Sequence, residues 1–129
     1  MTQNIVSLNI TSTDVVDIDS ALDMLEDRLN ALVELSVDQR RTLLKMGDRS
    51  EAFCRQTLIV LDQNSHIIPP NFDLADAQQD LSDLDLLRPR FARLKRLAAR
   101  AVDTEMALGS DVYRAALEGY RSEEHTSEL

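Results

Sequence analysis

The sequence predicts an all-α fold, an antiparallel up-down four-helix bundle whose fourth helix is short or truncated. Three observations lead there. Leu and Ala dominate the apolar residues while aromatics make up 4% and Trp is absent, a balance that favours helices over a β-sandwich. Apolar residues recur at spacings of three and four through most of the chain. Capping residues and a few breakers divide these periodic stretches into segments joined by tight turns. At 129 residues the chain fits one domain, expected over residues 14–120, with enough length to bury a core.

Residues 1–13 are the least periodic. In "NIVSLNIT" the apolar residues Ile5, Val6, Leu8 and Ile10 alternate loosely. A strand without a partner is marginal, so a flexible, extended N-terminal arm is expected. From Asp14 the pattern turns helical: Ile18, Leu22, Leu25, Leu29 and Leu32 follow spacings of 4, 3, 4 and 3 on one stripe. Thr13 or Asp14 caps this first helix, which is predicted over about residues 15–35.

"SVDQ" at Ser36 is a capping box, in which the Ser36 hydroxyl accepts from the Gln39 amide and the Gln39 side chain returns to the Ser36 amide. A second helix is therefore predicted from Ser36 to about Asn64, carrying Leu43, Leu44, Met46, Phe53, Leu58 and Leu61. Gly47 weakens it. Either the helix bends there or Asp48 or Ser50 caps a new one, and a bend is the reading taken here. Adjacent prolines in "NSHIIPPNFD" remove two amide donors and push Ile68 into extended backbone, which makes this stretch a loop.

Asp73 caps a third helix with Leu74, Ala77, Leu81, Leu84, Leu87, Phe91, Leu94, Ala98 and Ala101 on one face, reaching about Leu108. Pro89 lies inside it. Because the apolar stripe resumes in phase beyond the proline, a kink is expected there and not a termination. Gly109 then serves as C-terminal cap and Ser110 as the next N-cap. The short fourth helix carries Val112, Tyr113, Ala116, Leu117 and Tyr120.

The final stretch, "RSEEHTSEL" from Arg121 to Leu129, is polar and aperiodic. It resembles, residue by residue, the translation of a short-read sequencing adapter. That implies a gene assembled from environmental reads and a probable non-native tail over 121–129, to be kept out of fold and site reasoning. The formal charge of the whole chain is −9; setting aside Arg121, Glu123, Glu124 and Glu128 leaves 13 basic against 20 acidic residues, or −7. An acidic chain repels phosphate backbones, so nucleic-acid binding is disfavoured.

Four segments carry a further resemblance: "KMGDRSEAFCRQTL", the proline loop before "FDLADAQQDL", "LRPRFARL" and "ALGSDVYRAALEGY". From about Leu35 to Tyr120 the chain resembles a family of small, uncharacterised bacterial helical-bundle proteins. The resemblance implies a bacterial origin and the bundle, and it carries no activity and no site residues.

Chemistry is sparse. Cys54 is the single cysteine, so no disulfide framework exists and a reducing compartment, the cytoplasm, is expected. No long apolar run or signal-peptide pattern is present, which argues against a membrane role. Outside the tail the one histidine is His66 in the proline loop, with no helical carboxylate at ligand spacing; His125 belongs to the tail. Asp73, Asp76, Asp80 and Asp83 form an acidic stripe best read as a solvated helix start. Cys54 has no histidine base, and three scattered glycines build no phosphate cradle. No catalytic residue, metal site or cofactor is assigned.

What remains is surface. The expectation is a non-enzymatic protein–protein interaction or structural module acting through amphipathic helix faces, on a protein partner or on a second copy. The candidate interaction residues are Leu84, Leu87, Phe91 and Leu94, an apolar stripe expected to lie uncovered, with Arg88, Arg93 and Arg96 beside it. The alternative is a nucleic-acid-associated regulator using the basic half of the third helix, where Arg88, Arg90, Arg93, Lys95, Arg96 and Arg100 cluster. A pocket between helices for a small molecule is a third possibility, with Cys54, Thr57 and Tyr113 the polar residues expected to point inward.

Overall fold

The computed structural model describes the backbone of residues 3–128 and the side chains of residues 3–124. Its regular elements are all helical: α1 (Ser12–Arg28), α2 (Val37–Thr42), α3 (Asp48–Gln63), a 3-10 turn (Ser65–Ile67) and α4 (Leu74–Glu128). They fall into two compact units, Leu32–Phe91 and the pair of segments Met1–Ala31 and Ala92–Leu129. The fold class is all-α, as predicted. The expected short fourth helix is not: the fourth helix is the longest, at 55 residues against a typical mean of about 11–12.

In the unit Leu32–Phe91, α2 begins on the predicted capping box. Ser36 Oγ accepts from the Gln39 amide at 3.1 Å, and Gln39 Oε1 accepts from the Ser36 amide at 2.8 Å. The helix then stops after six residues, where the sequence predicted a bent continuation to Asn64. Lys45 Nζ donates to the carbonyls of Arg41 and Leu43, which satisfies acceptors that the helix end leaves open. Gly47 is the N-cap of α3, with extended backbone that any residue adopts (φ −98°, ψ −175°). The Ser50 hydroxyl accepts from its amide at 2.7 Å, so a new helix starts there and the expected bend does not occur.

The proline loop behaves as read from the sequence. Ile68 is extended (φ −69°, ψ 124°), although Ser65–Ile67 manage one 3-10 turn before it. Asn71 takes φ 66°, and the Phe72 amide closes a turn onto the Pro69 carbonyl at 3.2 Å. Asp73 Oδ1 then accepts from the Asp76 amide at 3.0 Å, the predicted cap of α4.

In the other unit, α1 starts at Ser12, three residues earlier than expected. Thr11, not Thr13 or Asp14, is its N-cap, and Asp14 is the third helical residue of a capping box. The helix ends at Arg28, short of the predicted residue 35. Leu32 and Val33, which continue its apolar spacing, lie beyond it and are exposed. The N-terminal arm is tied to α4: Asp111 accepts from the Ile5 amide through both carboxylate oxygens at 2.9 Å and from the Val6 amide at 3.2 Å. Gln3 Nε2 adds donations to Ser110 Oγ and Asp111 Oδ1.

α4 continues through Pro89, where no termination was expected, and through Gly109, where one was. At Pro89 the helix continues, in keeping with the phase of the apolar stripe; the proline leaves the Asp85 carbonyl without its amide donor, and at the adjoining position Arg90 Nη1 donates to the Leu86 carbonyl at 2.9 Å. Gly109, expected to close the helix, lies in its interior, as does Ser110. A glycine C-cap needs a left-handed residue, and no described glycine has positive φ. Arg121 to Glu128, expected to be aperiodic, prolong the helix: Arg and Glu are good helix formers and nothing in the stretch breaks propagation.

Gly119 also lies inside α4, and a Cβ built there meets nothing within 4 Å. Gly119→Ala is expected to raise unfolding stability by about 0.5–1 kcal/mol, since Ala loses less backbone entropy in a helix. Denaturant titration measures it, and an unchanged or lowered midpoint would contradict the helical assignment at this position.

Candidate functional site

None of the described residues is fully buried, so the candidate surfaces are helix faces with different degrees of cover. In the unit Leu32–Phe91, α3 runs along the first part of α4. Cys54, Leu58 and Leu61 are half-buried on α3, and Leu74, Ala77, Leu81, Leu84, Leu87 and Phe91 are half-buried on α4. Polar pairs bind the two helices in antiparallel order: Asp62 accepts from Gln78 Nε2 at 3.0 Å, Asp85 accepts both Arg55 amino groups, and Glu51 accepts from Arg88 Nη1 at 2.8 Å. Arg55 Nε also donates to Glu51 Oε2 at 3.2 Å, linking these groups into one chain of charge.

This network polarises its carboxylates. The Arg88 hydrogen bond, followed by that of Arg55, holds the Glu51 carboxyl below its ordinary value. The Arg55 guanidinium does the same for Asp85, and the two carboxylates push Arg55 up. Asp111 is lowered by the Ile5 backbone amide first and by Gln3 next. On one side of the α3–α4 pair lies an open groove of about 490 Å³, with Leu58, Ile59, Leu81 and Leu86 among its apolar lining and Arg55 and Asp85 among its polar lining.

The predicted interaction residues divide between the units. Leu84, Leu87 and Phe91 were expected to lie bare; α3 half-covers them, and Arg88 is engaged with Glu51. Leu94, Arg93 and Arg96 belong to the stretch of α4 in the other unit, where Leu94 is half-buried and both arginines are exposed. Among the described residues, no ion pair to α1 engages Arg93, Arg96 or Arg100. Cys54 and Thr57 are half-buried as expected, whereas Tyr113 is exposed and His66 lies exposed in the 3-10 turn. Among the described residues no three His, Cys, Asp or Glu groups gather closely enough to hold a metal ion. Among the described residues no helix is long and apolar enough to cross a membrane.

The most exposed apolar face lies where the sequence reading broke the helix. From Ala92 onward, Thr104, Ala107, Asp111 and Glu118 are half-buried on one side of α4. On the opposite side Val102, Met106, Tyr113 and Tyr120 are 61%, 70%, 68% and 64% exposed. With Gly109 and Ala116 these residues follow spacings of 4, 3, 4, 3 and 4, a single stripe of helical period. The signal was present in the sequence. Placing a C-cap at Gly109 divided the stripe between two helices and hid it.

The lowered carboxyls of Glu51 and Asp85 set a pH dependence. Their pairing stabilises the α3–α4 unit above the ordinary carboxylate range of about 4, and that contribution is lost as pH falls through the depressed folded values. In NMR titration both carboxyls are expected to titrate below that range. Arg55→Gln should move both upward, and Arg88→Gln should move Glu51 more than Asp85; coincident titration at unperturbed values in the parent protein would contradict the network. Comparison of the chain with protein-family models, with curated proteins and with solved structures yields no match.

Proposed function

We propose that the protein is a non-enzymatic interaction module that engages another polypeptide through an exposed apolar face of α4. The observation that carries this reading is the stripe of Val102, Met106, Tyr113 and Tyr120, each more than half exposed on one side of a helix whose opposite side is half-covered. Contiguous apolar surface rimmed by polar residues marks interaction sites on soluble proteins, and tyrosine and methionine are enriched at such interfaces. A single exposed leucine would need no such explanation. Here several large side chains repeat with the helical period, the arrangement that helix-in-groove and helix-pairing contacts use.

A photo-reactive amino acid placed at Met106 tests the reading, with the same group at Asp17 on α1 as control. Irradiation is expected to give an adduct with a polypeptide, the same chain or another, from position 106 and little from position 17. No polypeptide adduct from position 106 would sink it. A mobility shift on duplex DNA or RNA that weakens steeply with salt and is lost in Arg93→Glu/Arg96→Glu would move the reading to a nucleic-acid regulator.

A further inference from the structure

Resting on that reading, we infer that the partner of the α4 face is a second copy of this chain, packed antiparallel about a two-fold axis through Gly109. Val102 and Ala116 lie seven residues before and seven residues after that glycine. With Gly109 opposite its own copy, Met106 meets the neighbourhood of Val112, Val102 meets Ala116, and Ala98 meets Tyr120, so that large and small side chains alternate across the seam. A Cβ at Gly109 would meet nothing within 4 Å in the single chain, so the space above it is open to an incoming backbone. Ala116 is the next position of the same row, and it too permits a close approach.

Charge chooses the direction. Asp103 and Arg114 stand eleven residues apart, very nearly three helical turns, and so lie on the same flank of the stripe. Both are exposed, and among the described residues neither takes part in an ion pair within the chain. They lie six residues before and five residues after Gly109. An antiparallel two-fold therefore sets Asp103 of each copy beside Arg114 of the other, giving two reciprocal pairs. A parallel two-fold sends this flank of the two copies to opposite sides of the seam and makes neither pair. Glu105 falls opposite Tyr113 in the antiparallel register, within the reach of a tyrosine hydroxyl as donor.

Area supports a second copy as occupant. Two tyrosines with about two-thirds of their surface still accessible, together with Met106, Val102 and the smaller neighbours, offer on the order of 600 Å² per copy. That is about 1,200 Å² for the pair, at the lower edge of stable interfaces, and a reversible dimer in the micromolar range is the expected strength.

Sedimentation equilibrium on the full chain from about 1 to 100 μM decides the matter. The parent is expected to shift from monomer to dimer across that range. Asp103→Arg alone and Arg114→Asp alone should each weaken the dimer at least about fivefold, and the double reversal should restore it. Met106→Glu should leave a monomer whose circular dichroism matches the parent, so that loss of the dimer is not loss of the fold. A monomeric parent, a dimer indifferent to Met106→Glu, or reversals that fail to compensate would overturn the second copy as partner. The interaction reading itself falls only if position 106 also gives no adduct with any polypeptide, so the two failures are distinguishable.

Discussion

The continuity of α4 through Pro89 and Gly109 is the constraint to which the other elements answer. A proline inside a helix removes one backbone hydrogen bond and crowds a carbonyl, at about 3 kcal/mol, so the helix persists there only if its neighbourhood compensates. The compensation is visible side by side with the proline. Asp85 and Arg88 are both held by partners on α3. Gly109 needs less help, because a helical glycine costs only about 1 kcal/mol. Once both positions are helical, 55 residues form one helix, and its faces decide what the shorter segments of each unit can cover.

Cover is unequal along that helix. Against Leu74 to Phe91 the covering element is α3, whose own stripe and charged residues match it pair for pair from Asp62 to Glu51. Beyond Ala92 the half-buried positions are Leu94 and then Thr104, Ala107, Asp111 and Glu118, small or polar groups, whereas Val102, Met106, Tyr113 and Tyr120 lie on the opposite side. The N-terminal arm is held there by Asp111, a carboxylate accepting from consecutive backbone amides, which is directional bonding with little apolar burial behind it. This inverts the usual economy of a helix, in which the apolar stripe faces inward. An outward apolar stripe on a helix anchored by polar contacts is the physical reason for treating that stripe as a surface of use.

Several local features could be read from the sequence because their physics is local. The Ser36 and Gln39 capping box, the Asp73 cap, the extended Ile68 before two prolines and the passage of the helix through Pro89 each follow from the chemistry of a few adjacent residues or from the phase of one stripe. The end of α1 at Arg28 and of α2 at Thr42 could not be read in that way. Leu32 continues the apolar periodicity perfectly, yet the helix stops before it, and periodicity alone does not say how far propagation runs without tertiary contacts. Val33 and Leu44 show no such contacts, both being exposed.

The division between the two sources of order is sharpest at the interaction surface. The sequence by itself determined the helical class, the caps and the apolar periods, since these depend on backbone geometry and side chains within a turn or two of one another. Only the tertiary structure decided which face of each period is covered. Leu84, Leu87 and Phe91 have the stronger hydrophobic pattern and are half-covered by α3, whereas Val102, Met106, Tyr113 and Tyr120, interrupted in the pattern by a glycine, stay exposed. Periodicity states that a face is apolar, and burial depends on what chain lies opposite, a property of residues distant in sequence that no local pattern encodes.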